Sequence, residues 1–202
     1  MNLAAATLPA VLLLALTSIM LIVNNNWRWT ILLLAFQYIG VFILVAIRWP
    51  LELAVSKIVA GWMASAVLSV AIHEISSSSP LYWQETEKFW PSGRLFRLLA
   101  AGLVILTVLS ISPRLAEWVE GIGEMQTVGA LTLIGMGLLH LGLTAQPFRV
   151  VIGLLTILSG FEILLSAVEV SALIAGLLAF VTLGLALVGA YLLLAPSMQE
   201  AR

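Results

Sequence analysis

The sequence predicts an all-α protein, a polytopic bundle of about seven transmembrane helices. Of its 202 residues, 62% are hydrophobic and only 9% are charged, whereas about 25% of the residues in an ordinary soluble domain are charged. The mean hydropathy is +1.13. Seven apolar stretches approach the ~20 residues that a helix needs to cross a bilayer, and short polar turns separate most of them.

The composition also excludes several classes of protein. A soluble fold of this length cannot bury so much apolar surface. The chain has nine Lys and Arg residues and ten acidic residues, and the basic residues form no cluster, which excludes a nucleic-acid binder. The absence of cysteine excludes disulfides, thiolate metal sites and iron–sulfur clusters. No phosphate-binding loop or haem-ligand pair occurs, so the sequence predicts no cofactor and no redox chemistry of its own.

The chain is predicted to form a single transmembrane domain in three parts. Residues 1–75 hold three spans, residues 76–126 hold a polar loop, a fourth span and an outer interfacial segment, and residues 127–202 hold three more spans. The spans run approximately over 3–23, 29–47, 51–73, 95–112, 127–145, 149–168 and 171–194. Asn or Pro turn signals, such as those at 24–26, 48–50 and 146–148, separate several neighbouring spans.

The two longer connections carry most of the remaining charge. Residues 74–94 combine a serine run with tryptophans and mixed charges, which is typical of a cytoplasmic surface segment. In 113–126, Glu117, Glu120 and Glu124 have helical spacing and share one face. This pattern predicts a short interfacial helix on the outer surface. An acidic patch that attracts cations is the alternative.

A weak internal repeat relates the two ends of the chain. At an offset of 120 residues, the segment Gly40–Ala46 aligns with Gly160–Ser166. Both segments precede a short connection and a span rich in small residues. Such a repeat would relate spans 1–3 to spans 5–7 in the same orientation. Chance similarity between apolar segments is the other explanation.

The distribution of Lys and Arg predicts the orientation, because cytoplasmic loops carry an excess of these residues. Six fall on one side and two on the other: Arg28, Lys88, Arg94, Arg97, Arg149 and Arg202 against Arg48 and Arg114. The N-terminus is therefore expected outside and the C-terminus inside. Five tryptophans near span ends fit an interfacial aromatic belt: Trp27, Trp29, Trp49, Trp83 and Trp90.

Ionisable groups within spans are costly and usually face the protein interior. Glu162 and Lys57 are both expected about 9–10 Å from the outer face, given a rise of about 1.5 Å per helical residue. They could therefore form an intramembrane ion pair. Each could act as a proton relay or as an inter-helix anchor. His140, deep in span 5, could relay protons through its near-neutral imidazole or simply be a buried hydrogen-bonding residue.

Four further polar residues lie within spans or near their ends. Gln37 and Tyr38 fall in the middle of span 2, where they are expected to hydrogen-bond to neighbouring helices. Glu52 and Glu169 lie near span ends, and Glu169 follows Glu162 by seven residues, on nearly the same helix face. Both carboxylates are candidates for inter-helix polar contacts, and simple hydration at the interface is the alternative that their positions favour.

The segment from Leu138 to Leu155 resembles subunit K of respiratory complex I and the equivalent small subunit of multisubunit cation/proton antiporters. The resemblance is carried by Arg149 and by Ile152-Gly153-Leu154, which are similar to the turn and Ile-Gly-Leu helix that bears an intramembrane Glu in those families. The length and Lys57-Ile58-Val59 resemble component E of the hydrogenase-four group. The resemblance implies that the last three spans are subunit K-like.

The chain departs from those families at the two carboxylates. The first family Glu falls two or five residues after the Gly of Ile-Gly-Leu, where this chain has Leu155 and Leu158, whereas Glu162 is nine after it. These offsets share a helix face, so the carboxylate is predicted to have moved outward along it. Phe180 occupies the position expected for the second Glu, which puts a complete proton path in doubt.

Together these features predict a non-catalytic membrane subunit of a complex I-like assembly. The assembly could be a hydrogenase, a quinone-linked dehydrogenase or a cation/proton antiporter. The expected partners are other membrane subunits and the lipid bilayer, in the inner (cytoplasmic) membrane of a cell. Two alternatives remain: a small stand-alone transporter, and a purely structural subunit of another respiratory or photosynthetic complex.

Overall fold

The computed structural model describes residues 6–78, 93–118 and 121–200, and across these ranges the chain forms seven helices and no strand. The helices are α1 Thr7–Val23, α2 Trp27–Val45, α3 Leu51–Ser78, α4 Arg94–Trp118, α5 Glu124–Leu143, α6 Pro147–Val168 and α7 Ala172–Glu200. The all-α prediction is confirmed, and each predicted span coincides with one helix. Most of the predicted surface segment 74–94 lies outside the described residues.

The helices form a multi-pass membrane bundle. By length and hydropathy, α2 to α7 are six candidate membrane spans, and α1, with 17 residues, is shorter but equally apolar. α1 packs against α2 and α5 and buries Ala10, Leu14 and Leu21. It is therefore an integral part of the bundle rather than a peripheral segment.

The bundle has two ends, which are named here by one residue each. The Asn24 end carries the α1–α2 and α5–α6 turns, and the Trp49 end carries the α2–α3, α4–α5 and α6–α7 connections. At the Asn24 end the Asn26 side chain accepts a hydrogen bond from the backbone N–H of Arg28 at 3.1 Å, which caps α2. Pro147 begins α6 at the one helical position where a missing N–H costs nothing.

The positions of two helix boundaries agree with the predicted repeat. α1 ends at Val23 and α5 at Leu143, whereas α2 begins at Trp27 and α6 at Pro147, so both boundaries recur after 120 residues. Each helix also packs against its equivalent: α1 against α5, α2 against α6 and α3 against α7. The equivalent helices run in the same direction. The helix order, the common direction and the pairwise contacts are those expected of two parallel three-helix repeats.

The repeats share the same helix crossing. A Cβ atom built on Gly40 of α2 would lie 2.7 Å from the Leu14 side chain of α1. Built on Gly160 of α6, it would lie 2.6 Å from the Ala130 carbonyl oxygen and 2.8 Å from the Ile134 side chain of α5. Leu14 and Ile134 are themselves 120 residues apart. A glycine thus allows the same close approach in both repeats.

The predicted interfacial helix over 113–126 is wrong. α4 continues through Pro113 to Trp118, and Glu124 begins α5 instead. Glu117 and Glu124 consequently lie on different helices, and Glu120 lies outside the described residues. A proline inside a helix removes one backbone hydrogen-bond donor. Ending the helix at membrane depth would cost more, because several backbone groups would then be unpaired in lipid. Glu124 suits its position because a helix N-terminus favours negative charge.

Candidate functional site

One face of α6 carries a buried row of polar side chains. Thr156, Ser159 and Glu162 follow one another at three-residue spacing, which keeps them on one side of the helix, and all three are buried. The Thr156 and Ser159 hydroxyls each donate to a carbonyl of their own helix at 2.8 Å. Their oxygens consequently remain available as acceptors in the bundle interior.

An ion pair joins this row to α3. The Lys57 Nζ atom donates to Glu162 Oε1 at 3.0 Å, and both side chains are 1% exposed. Each residue lies six positions from the Trp49 end of its helix, Lys57 after Leu51 and Glu162 before Val168, which corresponds to a depth of about 9 Å. The predicted intramembrane approach of the two side chains is confirmed.

Trp49 covers the ion pair on the side of the Trp49 end. Its ring centroid lies 5.5 Å from Lys57 Nζ, and its Nε1–H donates to the Glu169 carbonyl at 2.9 Å. The side chain is buried, so its predicted place in a lipid-facing aromatic belt is wrong. The buried position is favourable because it gives the indole both a hydrogen-bond acceptor for its N–H and a cation near its ring. Trp49 thereby ties the α2–α3 turn to the end of α6.

Two residues of α2 continue the polar row toward the Asn24 end. The Gln37 Nε2 atom donates to Thr156 Oγ1 at 3.4 Å, which confirms its predicted inter-helix role. Tyr38 lies beside Ser159 and Glu162, and its ring rests directly on Gly61 of α3. The Tyr38 hydroxyl approaches the Ser159 hydroxyl of α6, as predicted for an inter-helix contact, but their geometry falls short of a full hydrogen bond.

Three buried polar atoms of this cluster have no hydrogen-bond partner among the described residues: Glu162 Oε2, Tyr38 Oη and Gln37 Oε1. Thr182 of α7 lies near the Glu162 carboxylate, but its hydroxyl donates to the Leu178 carbonyl at 2.9 Å. A buried polar atom without a partner costs about 1–3 kcal/mol. Such atoms in a native protein often mark a functional or hydrated site.

Nearer the Asn24 end, the polar row gives way to an apolar cluster. Leu21 of α1, Leu34 of α2 and Ile152 of α6 are at most 1% exposed and belong to one hydrophobic core. Gln37 is seven residues from Thr30, the next buried polar residue of α2 toward this end, so the apolar cluster separates them by about 10 Å of helical rise. In the described part of the chain, polar contacts thus do not extend continuously to the Asn24 end.

The structure does not bring the remaining candidates into this cluster. His140 is buried in α5 near Arg149, only three residues from the end of its helix, whereas Glu162 is fifteen from the start of α6. The two lie about 18 Å apart in depth. Glu52 is exposed in the first turn of α3, and the Glu169 side chain is exposed at the end of α6. These positions agree with the predicted hydration of both carboxylates.

Two arginines that the sequence analysis counted as loop charges are buried. The Arg97 Nη1 atom donates to the Ile22 carbonyl at 3.1 Å and to Asn25 Oδ1 at 3.2 Å. The Arg149 Nη1 atom donates to the Asn24 carbonyl at 3.3 Å. They attach α4 and α6 to the α1–α2 turn. The three consecutive asparagines, rich in acceptors, were the signal that could have predicted this contact.

Comparisons with models of known protein families, with curated proteins and with solved structures give no match. Among the described residues, no group of three or more His, Asp or Glu side chains is placed to hold a metal ion. The arrangement of Lys57, Glu162, Tyr38 and Gln37 is therefore interpreted from its own chemistry. It can hold a proton on a buried carboxylate beside a fixed cation.

Proposed function

We propose that this chain is a membrane subunit of a complex I-like ion-translocating assembly, in which Glu162 passes a proton beside Lys57. The observation that supports the relay role is the asymmetry of the carboxylate. Oε1 binds Lys57 at 3.0 Å, whereas Oε2 is buried without a partner among the described residues. A proton can be added to Oε2 and removed again while the contact with Lys57 is kept.

The relay has a preferred direction of access. Trp49 covers the pair toward the Trp49 end, so protons reach Glu162 from the side of Tyr38 and Gln37. Water bound between Glu162 Oε2, Tyr38 Oη and Gln37 Oε1 would supply the partners that these atoms lack. The hydroxyls of Ser159 and Thr156 line the same side and supply further acceptors.

The apolar layer favours a subunit over a stand-alone transporter. A transporter that acts alone must open its central site to each side of the membrane in turn. Here Leu21, Leu34 and Ile152 separate the polar row from the Asn24 end, and Trp49 covers it at the other. Access to the polar row would therefore depend on a neighbouring membrane subunit. The type of assembly, a hydrogenase, quinone-linked dehydrogenase or antiporter, rests on the resemblance at Arg149 and Ile152-Gly153-Leu154.

The proposed location is the inner (cytoplasmic) membrane, with the Asn24 end in the cytoplasm. Most loop and terminal Lys and Arg residues fall at this end by the sequence count. The N-terminus is then outside and the C-terminus inside, and Glu162 draws its proton from the cytoplasmic half of the bilayer.

The test is Glu162→Gln in the assembled complex. Glutamine keeps the shape of glutamate and one acceptor for Lys57, but it cannot carry a proton. The relay predicts a normal amount of assembled complex with lower proton translocation, and the matched control Glu169→Gln, at an exposed carboxylate, translocates normally. A purely structural pair predicts the opposite: less assembled complex, with normal translocation by what remains.

A further inference from the structure

A surface groove that consists of two separate cavities lies between α3 and α7 on the outside of the bundle. Toward the Asn24 end its walls include Val70 and Ala190, and toward the Trp49 end they include Val59, Ala179 and Leu183. We call it the α3–α7 groove. It is separate from the buried Lys57–Glu162 pair, neither member of which contributes to its lining.

Positions that are equivalent in the predicted repeat line the groove on both sides. Val59 and Ala179 are 120 residues apart, as are Val70 and Ala190, and these equivalent positions face each other across the groove. Along α3 the lining extends from Glu52 to Glu74, a distance of about 33 Å by helical rise. This matches the ~30 Å hydrocarbon thickness of a bilayer, so the groove is as long as one transmembrane helix.

The walls suit close packing of a helix. Small side chains, Ala60 and Ser56 on α3 and Ala179 and Ala190 on α7, line both parts of the groove. Small residues let helix backbones approach each other in a membrane, where tight packing drives association. Val70 stands at the rim and is 72% exposed.

Charge distinguishes between the possible occupants. Glu52 lines the groove at the Trp49 end, is exposed, and forms no ion pair with a described residue. A second copy of this chain, packed groove to groove about a two-fold axis along the membrane normal, would bring two Glu52 carboxylates to the same depth, where they would repel. A helix with a Lys or Arg at this depth would pair with Glu52 instead.

We propose that the α3–α7 groove binds one transmembrane helix of a partner subunit, which carries a Lys or Arg opposite Glu52. The inference rests on the proposed function only in assuming that the chain belongs to an assembly. It adds the interface and the chemistry of the partner.

The absence of cysteine makes a direct cross-linking test simple. Val70→Cys places a thiol in the groove near the Asn24 end, and Leu99→Cys on α4 is a matched control near the same end, because Val70 is 72% exposed and Leu99 is 74% exposed. Each purified variant is placed in phosphatidylcholine vesicles. The probe is a synthetic Leu–Ala helix of about 22 residues with Lys at both ends and a Cys about 18 residues from one of them, which is the helical separation of Glu52 and Val70, and the rate of disulfide formation is measured.

We expect Val70→Cys to cross-link to the Lys-ended helix about tenfold faster than Leu99→Cys, which corresponds to about 1.4 kcal/mol. Glu52→Gln, added to Val70→Cys, should remove most of this advantage, and a Glu-ended helix should not show it. Equal rates at both thiols would mean that lipid alone covers the groove, and rapid cross-linking between two Val70→Cys chains would indicate a second copy. Either result overturns the proposal. The relay of Glu162 plays no part in this test, so the two proposals fail independently.

Discussion

At the scale of single residues, the Lys57–Glu162 contact stabilises the bundle only while both partners are present. Removing one partner strands a buried charge, and this costs about 3–5 kcal/mol. We predict that Lys57→Met and Glu162→Leu each lower the free energy of unfolding by that amount, whereas the double variant loses much less. Denaturation of the purified protein in detergent micelles, followed by circular dichroism, measures all four species.

The comparison has a built-in control. If the two single effects simply add in the double variant, the two side chains do not interact, and the 3.0 Å contact contributes nothing to stability. An ion pair exposed to solvent would give at most about 1 kcal/mol of coupling energy. A larger coupling energy would therefore show that the Lys57–Glu162 pair is buried.

Gly61 provides a second prediction at this scale. A methyl group at this position would overlap the ring of Tyr38, whereas a Cβ atom at Gly102 of α4 would meet no atom within 4 Å. Gly61→Ala should therefore destabilise the protein by about 1–3 kcal/mol. Gly102→Ala should leave stability unchanged or raise it by up to about 1 kcal/mol, because alanine is the better helix former. Thermal unfolding of both variants separates a packing effect from helix propensity, and equal shifts would contradict the close Tyr38–Gly61 contact.

The residues of the site differ in how far the sequence could predict them. Helical rise fixes how deep a residue lies, so the match in depth between Lys57 and Glu162 was visible in the sequence. Rotation about the helix axis depends on packing between helices. For this reason the sequence could not show that Trp49 turns inward over Lys57, or that Tyr38 is buried without a hydrogen bond to a described residue.

At the scale of helices, the repeat makes a quantitative comparison possible. A Cβ atom on Gly160 would meet the Ala130 carbonyl oxygen at 2.6 Å and the Ile134 backbone nitrogen at 3.0 Å, whereas on Gly40 its nearest neighbours belong to the Leu14 side chain. A side chain can change rotamer, but backbone atoms move only if α5 and α6 separate. We predict that Gly160→Ala costs about 1–3 kcal/mol and that Gly40→Ala costs less.

Unfolding of the two alanine variants in the same detergent tests this difference. The positions are equivalent by repeat, so detergent and helix propensity affect both alike. Similar losses of stability would show that the α1–α2 crossing is as rigid as the α5–α6 crossing, against the geometry described here.

The helix ends show what local sequence can determine. The turn at residues 24–26 and Pro147 mark helix boundaries in the sequence and in the structure, because asparagine caps and proline at the first helical position act through local chemistry. The prediction that the fourth span ends before Pro113 was wrong. Proline begins α6, but Pro113 lies inside α4. Whether the helix continues through Pro113 is decided by the cost of unpaired backbone groups in lipid rather than by the local preference of proline.

At the scale of the whole molecule, the positive charges predict the orientation. A reporter that is active only in the cytoplasm, fused after Arg202, should give signal, and the same reporter fused before Met1 should be silent while the protein is still expressed and inserted. Membrane fractionation supplies the control for insertion. The opposite pattern would mean that the Asn24 end faces outward, and signal from both fusions would require an even number of membrane crossings.

The parallel arrangement of the repeats has a consequence for how the chain is inserted during synthesis. A unit of three crossings returns the chain to the opposite side of the bilayer, so a second copy that followed directly would enter upside down. α4 adds one crossing between the copies and restores their common direction. Its sequence need only be apolar for this purpose, which agrees with its many exposed leucines, such as Leu95, Leu99, Leu103 and Leu106. α4 is therefore the element that lets the two three-helix units run in the same direction through the bilayer.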